Sequence, residues 1–347
     1  MATWRDLSLP SRREVWRDLR GLRTGVVGPG RTNPDRSAVF TAALEQAQQF
    51  MEAAESAGPA TRPVQIFYSL SQFGRAISAA SSALSGEDWL VKGHGIGTKN
   101  LDVRNGLDCV QVVPHENGSL IGVARAMGVP PLAAKSKLSL GELWPLIPEG
   151  QSVPLASVRA FPALNFHAGA LVHRNGKRWC RVSLMPIPPE VKSAADVDAS
   201  ALKDFLAHYP SLSGWSNTPD VPDVIQWQKQ GGIDSLQIYL PSNLEAHAQA
   251  EEGVAEALER ATLYRGPSDA YVFPALGGMT ESVHPFLVWW AVLFGLSILA
   301  RYEPAGWAAM IDIDTSGTAN AIENLLEHAI GVIPHLALIA IKDVSGS

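Results

Sequence analysis

The sequence predicts an α+β fold: a bipartite helical domain drawn from both chain ends, residues 1–150 and 280–347, with a β-containing domain inserted at 151–279. Two long apolar segments, far apart in the chain, predict the helical part. One reads QIFYSLSQFGRAISAASSAL (Gln65–Leu84) and the other HPFLVWWAVLFGLSILARYEPAGW (His284–Trp307). Neither can bury itself alone, so the two are expected to pack on each other and close one domain. After residue 150 proline and glycine become frequent, and an Asn-Gly pair separates two strand-like runs, which predicts the inserted part.

The elements follow in order. The start of the chain is locally basic, with Arg5, Arg12, Arg13, Arg17, Arg20, Arg23, Arg31 and Arg36 outnumbering the acids. It reads as a solvated amphipathic arm or as a docking patch for an acidic protein partner. Ser37–Ala57 has apolar spacings of three and four and stops at Gly58-Pro59, so it is predicted as a helix. The next helix, Val64–Leu84, carries Phe67, Leu70, Phe73, Ile77 and Leu84 in one stripe, flanked by small residues that permit close helix packing. Lys137–Ile147 is predicted as a short helix bounded by Pro148.

In the middle, Asn165–Val172 and Lys177–Leu184 flank Arg174-Asn175-Gly176, a strong short-range hairpin signal. Ser235–Leu240 and Ala270–Pro274 are further strand candidates, and Leu244–Leu263 between them reads as a helix. Helix returns over 285–302, then Thr318–Ile330, then a last apolar segment, Pro334–Ile341.

Composition bounds the function. Hydrophobic residues make up 46% and charged residues 18%, which supplies a real core and excludes global disorder. A net charge of −6 gives no global basic field and argues against broad nucleic-acid binding. Cys109 and Cys180 have no C-x-x-C spacing and read as buried free thiols in a reducing cytosol. Met1–Pro10 holds no apolar signal-peptide core. Phe286–Ala300 is fifteen uncharged residues followed at once by Arg301, short of the roughly 20 a spanning helix needs, so it reads as a buried core helix with no membrane role. A cytoplasmic protein is expected.

Three constellations could carry chemistry. Arg75 interrupts an apolar helix, and Lys92-Gly93-His94-Gly95-Ile96-Gly97 is a glycine-rich loop with one lysine and one histidine. Such a loop can approach a ligand closely and form an anion nest, with Arg75 as a fork and His94 as a proton donor or acceptor. The structural alternative is an arginine bonded to loop carbonyls and a histidine capping a turn. Arg301-Tyr302 ends the second apolar helix, where a cation suits the helix dipole or joins Arg75 in a shared pocket. Asp312-Ile313-Asp314 could hold a divalent cation but lacks a further ligand, and Asp314 reads better as an N-cap. No metal or cofactor is therefore expected. The other histidines are scattered, and no G-x-S-x-G exists.

FYSLSQFGRAISAA followed by W-x-V-K-G-H-G-I, SLGELWPLIPE and LFGLSILARYEPAGW together resemble the YaaC-like family of bacterial proteins. GHGI at Gly93–Ile96 and LARYEP-x-x-W at Leu299–Trp307 are the specific parts. The resemblance runs from about residue 36 to 341 and implies a fold neighbourhood, not a reaction. A weaker likeness is to HEPN-type helical domains, some of which are toxin or antiphage ribonucleases. The chain departs from their R-x(4–6)-H pair, since Arg159 and His167 come nearest with seven residues between them.

These readings combine into one expectation. A helical pocket binds an anionic ligand, a nucleotide or nucleic-acid end, through Lys92, Gly93, Gly95, Arg301 and Tyr302, in a setting that could be a defence or toxin-type system. The alternatives are a nuclease-like hydrolase with His94 and Arg75 as the catalytic residues, and a non-catalytic protein-interaction module. The sequence does not decide between enzyme and binder.

Overall fold

The computed structural model describes residues 11–155, 161–221, 224–230, 233–244, 249–264 and 270–346. The architecture is α+β, and both ends of the chain contribute helices to the same unit. In chain order come α1 (Arg12–Thr24), α2 (Pro34–Ser56), α3 (Arg62–Ala80), β1 (Ile96–Lys99), β2 (Gln111–Pro114), α4 (Ser119–Met127), β3 (Leu138–Ser139), α5 (Leu140–Leu143) and α6 (Pro148–Gln151). The middle holds β4 (Leu164–Arg174), β5 (Lys177–Met185), α7 (Pro189–Ala195), α8 (Ser200–Leu206), β6 (Gln226–Gln230), β7 (Ile233–Ser242), α9 (Ala250–Leu258), β8 (Thr262–Leu263) and β9 (Ala270–Val272). The chain closes with α10 (Pro285–Tyr302), α11 (Pro304–Met310) and α12 (Ala319–Ser345). Two compact units separate: one draws on residues 10–160, 276–279 and 283–347, the other on 161–275 and 280–282.

The helical unit is organised around α3. Ile66, Phe67, Leu70, Phe73 and Ile77 are fully buried, as are its small residues Ser69, Ala76, Ser78 and Ala79. Apolar and small residues on most of its surface must be covered, and α2, α4, α10 and α12 all pack against it. Small residues set the approach. A Cβ added at Gly74 would stand 2.6 Å from the Trp290 ring on α10 and 2.9 Å from Val123 on α4. Ser69 Oγ donates to the Ala47 carbonyl on α2 at 2.7 Å. Contact between the two apolar helices, the central expectation for this unit, is present. Helices α10 and α12 are long and apolar enough to cross a membrane by length and composition alone; 78% and 72% of their most apolar windows are buried within the protein.

Several boundaries differ from expectation. Helix α3 ends at Ala80 rather than Leu84, because Ser81 turns extended and the loop carbonyls find another partner. The buried Arg36 guanidinium takes the Ser81 carbonyl at 3.0 Å and that of Leu84 at 2.5 Å, beneath the Trp89 ring at 5.3 Å. The expected break before Pro334 does not occur: α12 runs through it. The proline costs its helix roughly 3 kcal/mol, and burial of Ile330, Val332, Ile333, Leu336 and Leu338 around it outweighs that. Lys137–Ile147 is not one helix but β3, then α5 capped reciprocally by Ser139 and Glu142, then a 3₁₀ turn containing Pro145. Asp314 caps nothing. Asp312 instead accepts bonds from the Asp314 N–H and the Thr315 hydroxyl, and α12 starts behind Thr318. Cys109 is exposed, whereas Cys180 is buried, and burial pushes its thiol up to about 11.

The helical unit also contains a three-stranded antiparallel sheet, β1-β2-β3, that the sequence reading missed. Its strands are four, four and two residues long, too short for an alternating pattern to show. Gly295 lets α10 lie against it: an added Cβ there would meet Val112 on β2 at 3.4 Å and Leu140 at 3.3 Å.

The other unit is a six-stranded antiparallel sheet in the order β6-β7-β5-β4-β9-β8. Period-2 alternation puts Phe166, Val182, Leu184, Leu236, Ile238 and Leu240 on one face, where they share a core with Leu202, Phe205 and Tyr209. The β4–β5 hairpin turns at Asn175 and Gly176, with φ of 50° and 71°, the two positive values that a two-residue type I′ turn requires. Helix α9 is shorter than the expected Leu244–Leu263, because Thr262 and Leu263 pair with β9 as a strand; residues 245–248 lie outside the described residues.

Candidate functional site

The site lies in the helical unit, where α3 and α10 each present a three-residue stripe ending in an arginine. On α3, Tyr68, Gln72 and Arg75 fall at i, i+4 and i+7; on α10, Phe294, Ser297 and Arg301 fall at i, i+3 and i+7. Both spacings keep three side chains on one helix face. Arg301 Nε donates to the Ser297 carbonyl at 3.1 Å, and Nη1 lies 3.5 Å from the Tyr68 hydroxyl. Its guanidinium carbon stands 5.9 Å from the Tyr68 ring centroid and 5.3 Å from that of Tyr302. Phe50 of α2 stacks on the tyrosine, with ring centroids 5.4 Å apart. Arg75 Nη1 donates to Gln72 Oε1 at 3.2 Å. Among the described residues, neither guanidinium has a carboxylate partner.

His94 enters from the loop before β1, held by glycines. Gly93 and Gly95 have φ of 70° and 68°, a conformation L side chains rarely adopt. A Cβ at Gly95 would fall 2.6 Å from the Ser119 backbone nitrogen, and one at Gly118 would fall 2.2 Å from the Gly95 Cα. The two backbones therefore touch, which anchors the loop to the start of α4, and His115 N–H donates to the Gly95 carbonyl at 3.0 Å. The imidazole is delivered into an aromatic wall, 5.5 Å from Phe67, 6.2 Å from Phe294 and 6.4 Å from Tyr68 between centroids. Burial first, then the charge of Arg301, then that of Arg75, hold its pKa below the usual histidine value. Its Nδ1 is buried and has no hydrogen-bond partner among the described residues.

His94 and Arg301 thus share Tyr68 as a neighbour, and the charge of Arg75 reaches the same imidazole. Lys92 does not join them: its side chain is exposed, with no hydrogen-bond or ion-pair partner among the described residues. Gly93 and Gly95 act by shaping the loop. Tyr302 is 65% exposed and reaches the cluster only through Arg301. The anticipated bonds from Arg75 to loop carbonyls are absent, since its partner is Gln72 on its own helix. Tyr68, Phe50, Gln72 and Ser297 were not singled out from the sequence. The i, i+4, i+7 relation of Tyr68 and Gln72 to Arg75 is the signal that would have found three of the stripe residues together.

A family model described as YaaC-like protein matches residues 22–341. The chain belongs to the YaaC-like family. No curated protein and no solved structure matches it. The two family-like signatures occupy defined places in this YaaC-like protein. Gly93–Ile96 is the loop that presents His94. In Leu299–Trp307, Arg301 faces the cluster, Pro304 opens α11, and Trp307 Nε1 donates to the carbonyls of Pro59 and Ala60 at 3.3 and 3.1 Å, pinning the turn between α2 and α3.

Proposed function

We propose that this YaaC-like protein binds a phosphate-bearing anion, a nucleotide or nucleic-acid end, between Arg75 and Arg301. One observation carries the reading: two arginines act on the same half-buried histidine, and neither has a carboxylate counter-charge among the described residues. Partly buried charge of one sign is costly unless an anion completes it. Guanidinium groups suit phosphate oxygens because they offer paired donors in a fixed plane. The Tyr68 hydroxyl and a neutral imidazole add hydrogen bonds, and the Phe50–Tyr68 stack supplies an aromatic surface for a base.

Binding is preferred over hydrolysis. A hydrolase would use His94 as base and Arg75 to stabilise charge in the transition state, yet no carboxylate orients the imidazole among the described residues. The experiment is calorimetric titration with inorganic phosphate, then with adenosine and uridine monophosphates. Wild type should bind, and Arg75→Ala and Arg301→Ala should each lose binding. The Arg75→Ala melting temperature should stay near wild type, since its recorded bond is to one glutamine on its own helix. Affinity unchanged in Arg75→Ala would sink the proposal. Turnover of a phosphodiester that His94→Ala abolishes would move the reading to hydrolase.

A further inference from the structure

The helical cluster is not the only place where cations gather. Arg174, Lys177, Arg178 and Arg181 put four positive charges in eight residues with no acid among them, in a chain whose net charge is −6. The hairpin between β4 and β5 concentrates them at one end of the two central strands of the sheet. Strand alternation places Lys177, Trp179 and Arg181 on one face of β5, two residues apart each time. Beside them opens a groove of about 480 Å³ lined by His173, Lys177, Arg178, Trp179, Ser242 and Asn243.

We propose that this groove binds a short stretch of single-stranded nucleic acid, with Lys177 in the groove and Arg181 beyond it on the same strand face tracking phosphates and Trp179 stacking a base. Alternating cation and aromatic along one strand is what such a ligand requires, because charge and π-face repeat together along it. Two carboxylates among the described residues near this groove already have partners. Asp220 is engaged by Arg174 at 3.1 Å. Glu256 is held by the Ser242 hydroxyl and the Asn243 N–H at 2.5 and 2.9 Å, so its oxygens are already occupied. Arg260 adds a cation near that end, donating to the Ser213 and Pro241 carbonyls. Lys177 and Arg181 are exposed and have no ion-pair partner among the described residues. The site is separate from the Arg75–His94–Arg301 cluster and stands whether or not that cluster binds an anion.

The test uses the full chain and fluorescein-labelled oligothymidylate and oligouridylate of about twelve nucleotides, followed by anisotropy over a range of salt. Wild type should bind, with affinity falling as salt rises. The double variant Lys177→Glu/Arg181→Glu should bind at least about tenfold more weakly with a flatter salt dependence. Trp179→Ala should weaken binding while keeping the salt slope. Both charge-reversed positions are on the surface, so that variant should keep the wild-type melting temperature, and it carries the test even if Trp179→Ala unfolds. Phosphate or mononucleotide binding at the helical cluster should be unchanged in the double variant, which separates the two sites. No binding at low salt, or equal binding by the double variant, overturns the proposal. Displacement of the oligonucleotide by polyglutamate as effectively as by unlabelled oligonucleotide also overturns it and assigns the groove to an acidic protein partner.

Discussion

The Arg301 guanidinium lies over Tyr68, with Nη1 3.5 Å from the phenol oxygen and the guanidinium carbon 5.9 Å from the ring centroid, so a residue of α3 positions the charge at the end of α10. If that contact orients Arg301 toward an anion, Tyr68→Phe should weaken phosphate binding by about 0.5–1.5 kcal/mol, the usual worth of one hydrogen bond. Tyr68→Ala should weaken it further, because the ring is lost as well. Calorimetry on the two variants checks this, and equal affinities in Tyr68→Phe and wild type would remove the hydroxyl from the site.

Arg301 also suppresses protonation of His94, more strongly than Arg75 does. The histidine pKa followed by NMR should therefore rise in Arg301→Ala and rise less in Arg75→Ala. The sign for ligand binding follows. An anion between the arginines cancels part of their field and favours imidazolium, so binding takes up a proton and tightens as pH falls through the His94 pKa. Calorimetry in buffers of different ionisation enthalpy should register that uptake, and a pH-independent affinity would argue that the anion sits elsewhere.

Arg36, by contrast with the two arginines of the candidate site, has a structural task. Its two recorded bonds hold the carbonyls that end α3. Arg36→Met should strand both acceptors in a buried position and destabilise by about 1–3 kcal/mol. A urea melt with an unchanged midpoint would show that water reaches those carbonyls.

Gly74 marks the closest approach of α10 to α3. Gly74→Ala gains helix propensity of about 1 kcal/mol but drives a methyl into Trp290 and Val123, an overpacking cost of roughly 1–3 kcal/mol. The net effect should be a loss of stability, whereas Gly58→Ala, where nothing lies within 4 Å, should show no such loss.

Stability should also fall in mild acid. His335 is 4% exposed, its Nε2 has no partner among the described residues, and burial lowers its pKa from 6.5 to about 4. The unfolded chain takes a proton there first, so folding stability is complete above pH 6.5 and declines as pH falls toward 4. The shift corresponds to roughly 3 kcal/mol at its limit. His335→Leu should flatten that part of the pH–stability curve, as read from melts between pH 7 and pH 4.

The parts of the fold legible in the sequence are those with long patterns. The run at 286–300 is uncharged and mostly apolar, and Asn175-Gly176 has one comfortable conformation, so both were readable locally. The three short strands around β2 were not, because two to four residues carry no period and their pairing joins residues up to 28 positions apart. Pro334 misled for the opposite reason: a strong local signal was overruled by burial on every side. At the candidate site, Arg75, His94 and Arg301 stood out as charges in apolar or glycine-rich settings. Lys92 looked equivalent in sequence, but only three dimensions show its side chain turned to water.

The neighbours of α3 also set an order of events during synthesis. Helix α2 precedes it directly, but α10 and α12 begin at Pro285 and Ala319, after every strand of the six-stranded sheet has been made. On the ribosome the sheet unit can complete itself while Phe67, Phe73 and Ile77 still await their covers. A nascent chain that has emerged from the ribosome as far as residue 282 should therefore hold a folded sheet and a sticky, half-built helical body. Chaperone engagement should peak at that length and vanish once α12 has emerged.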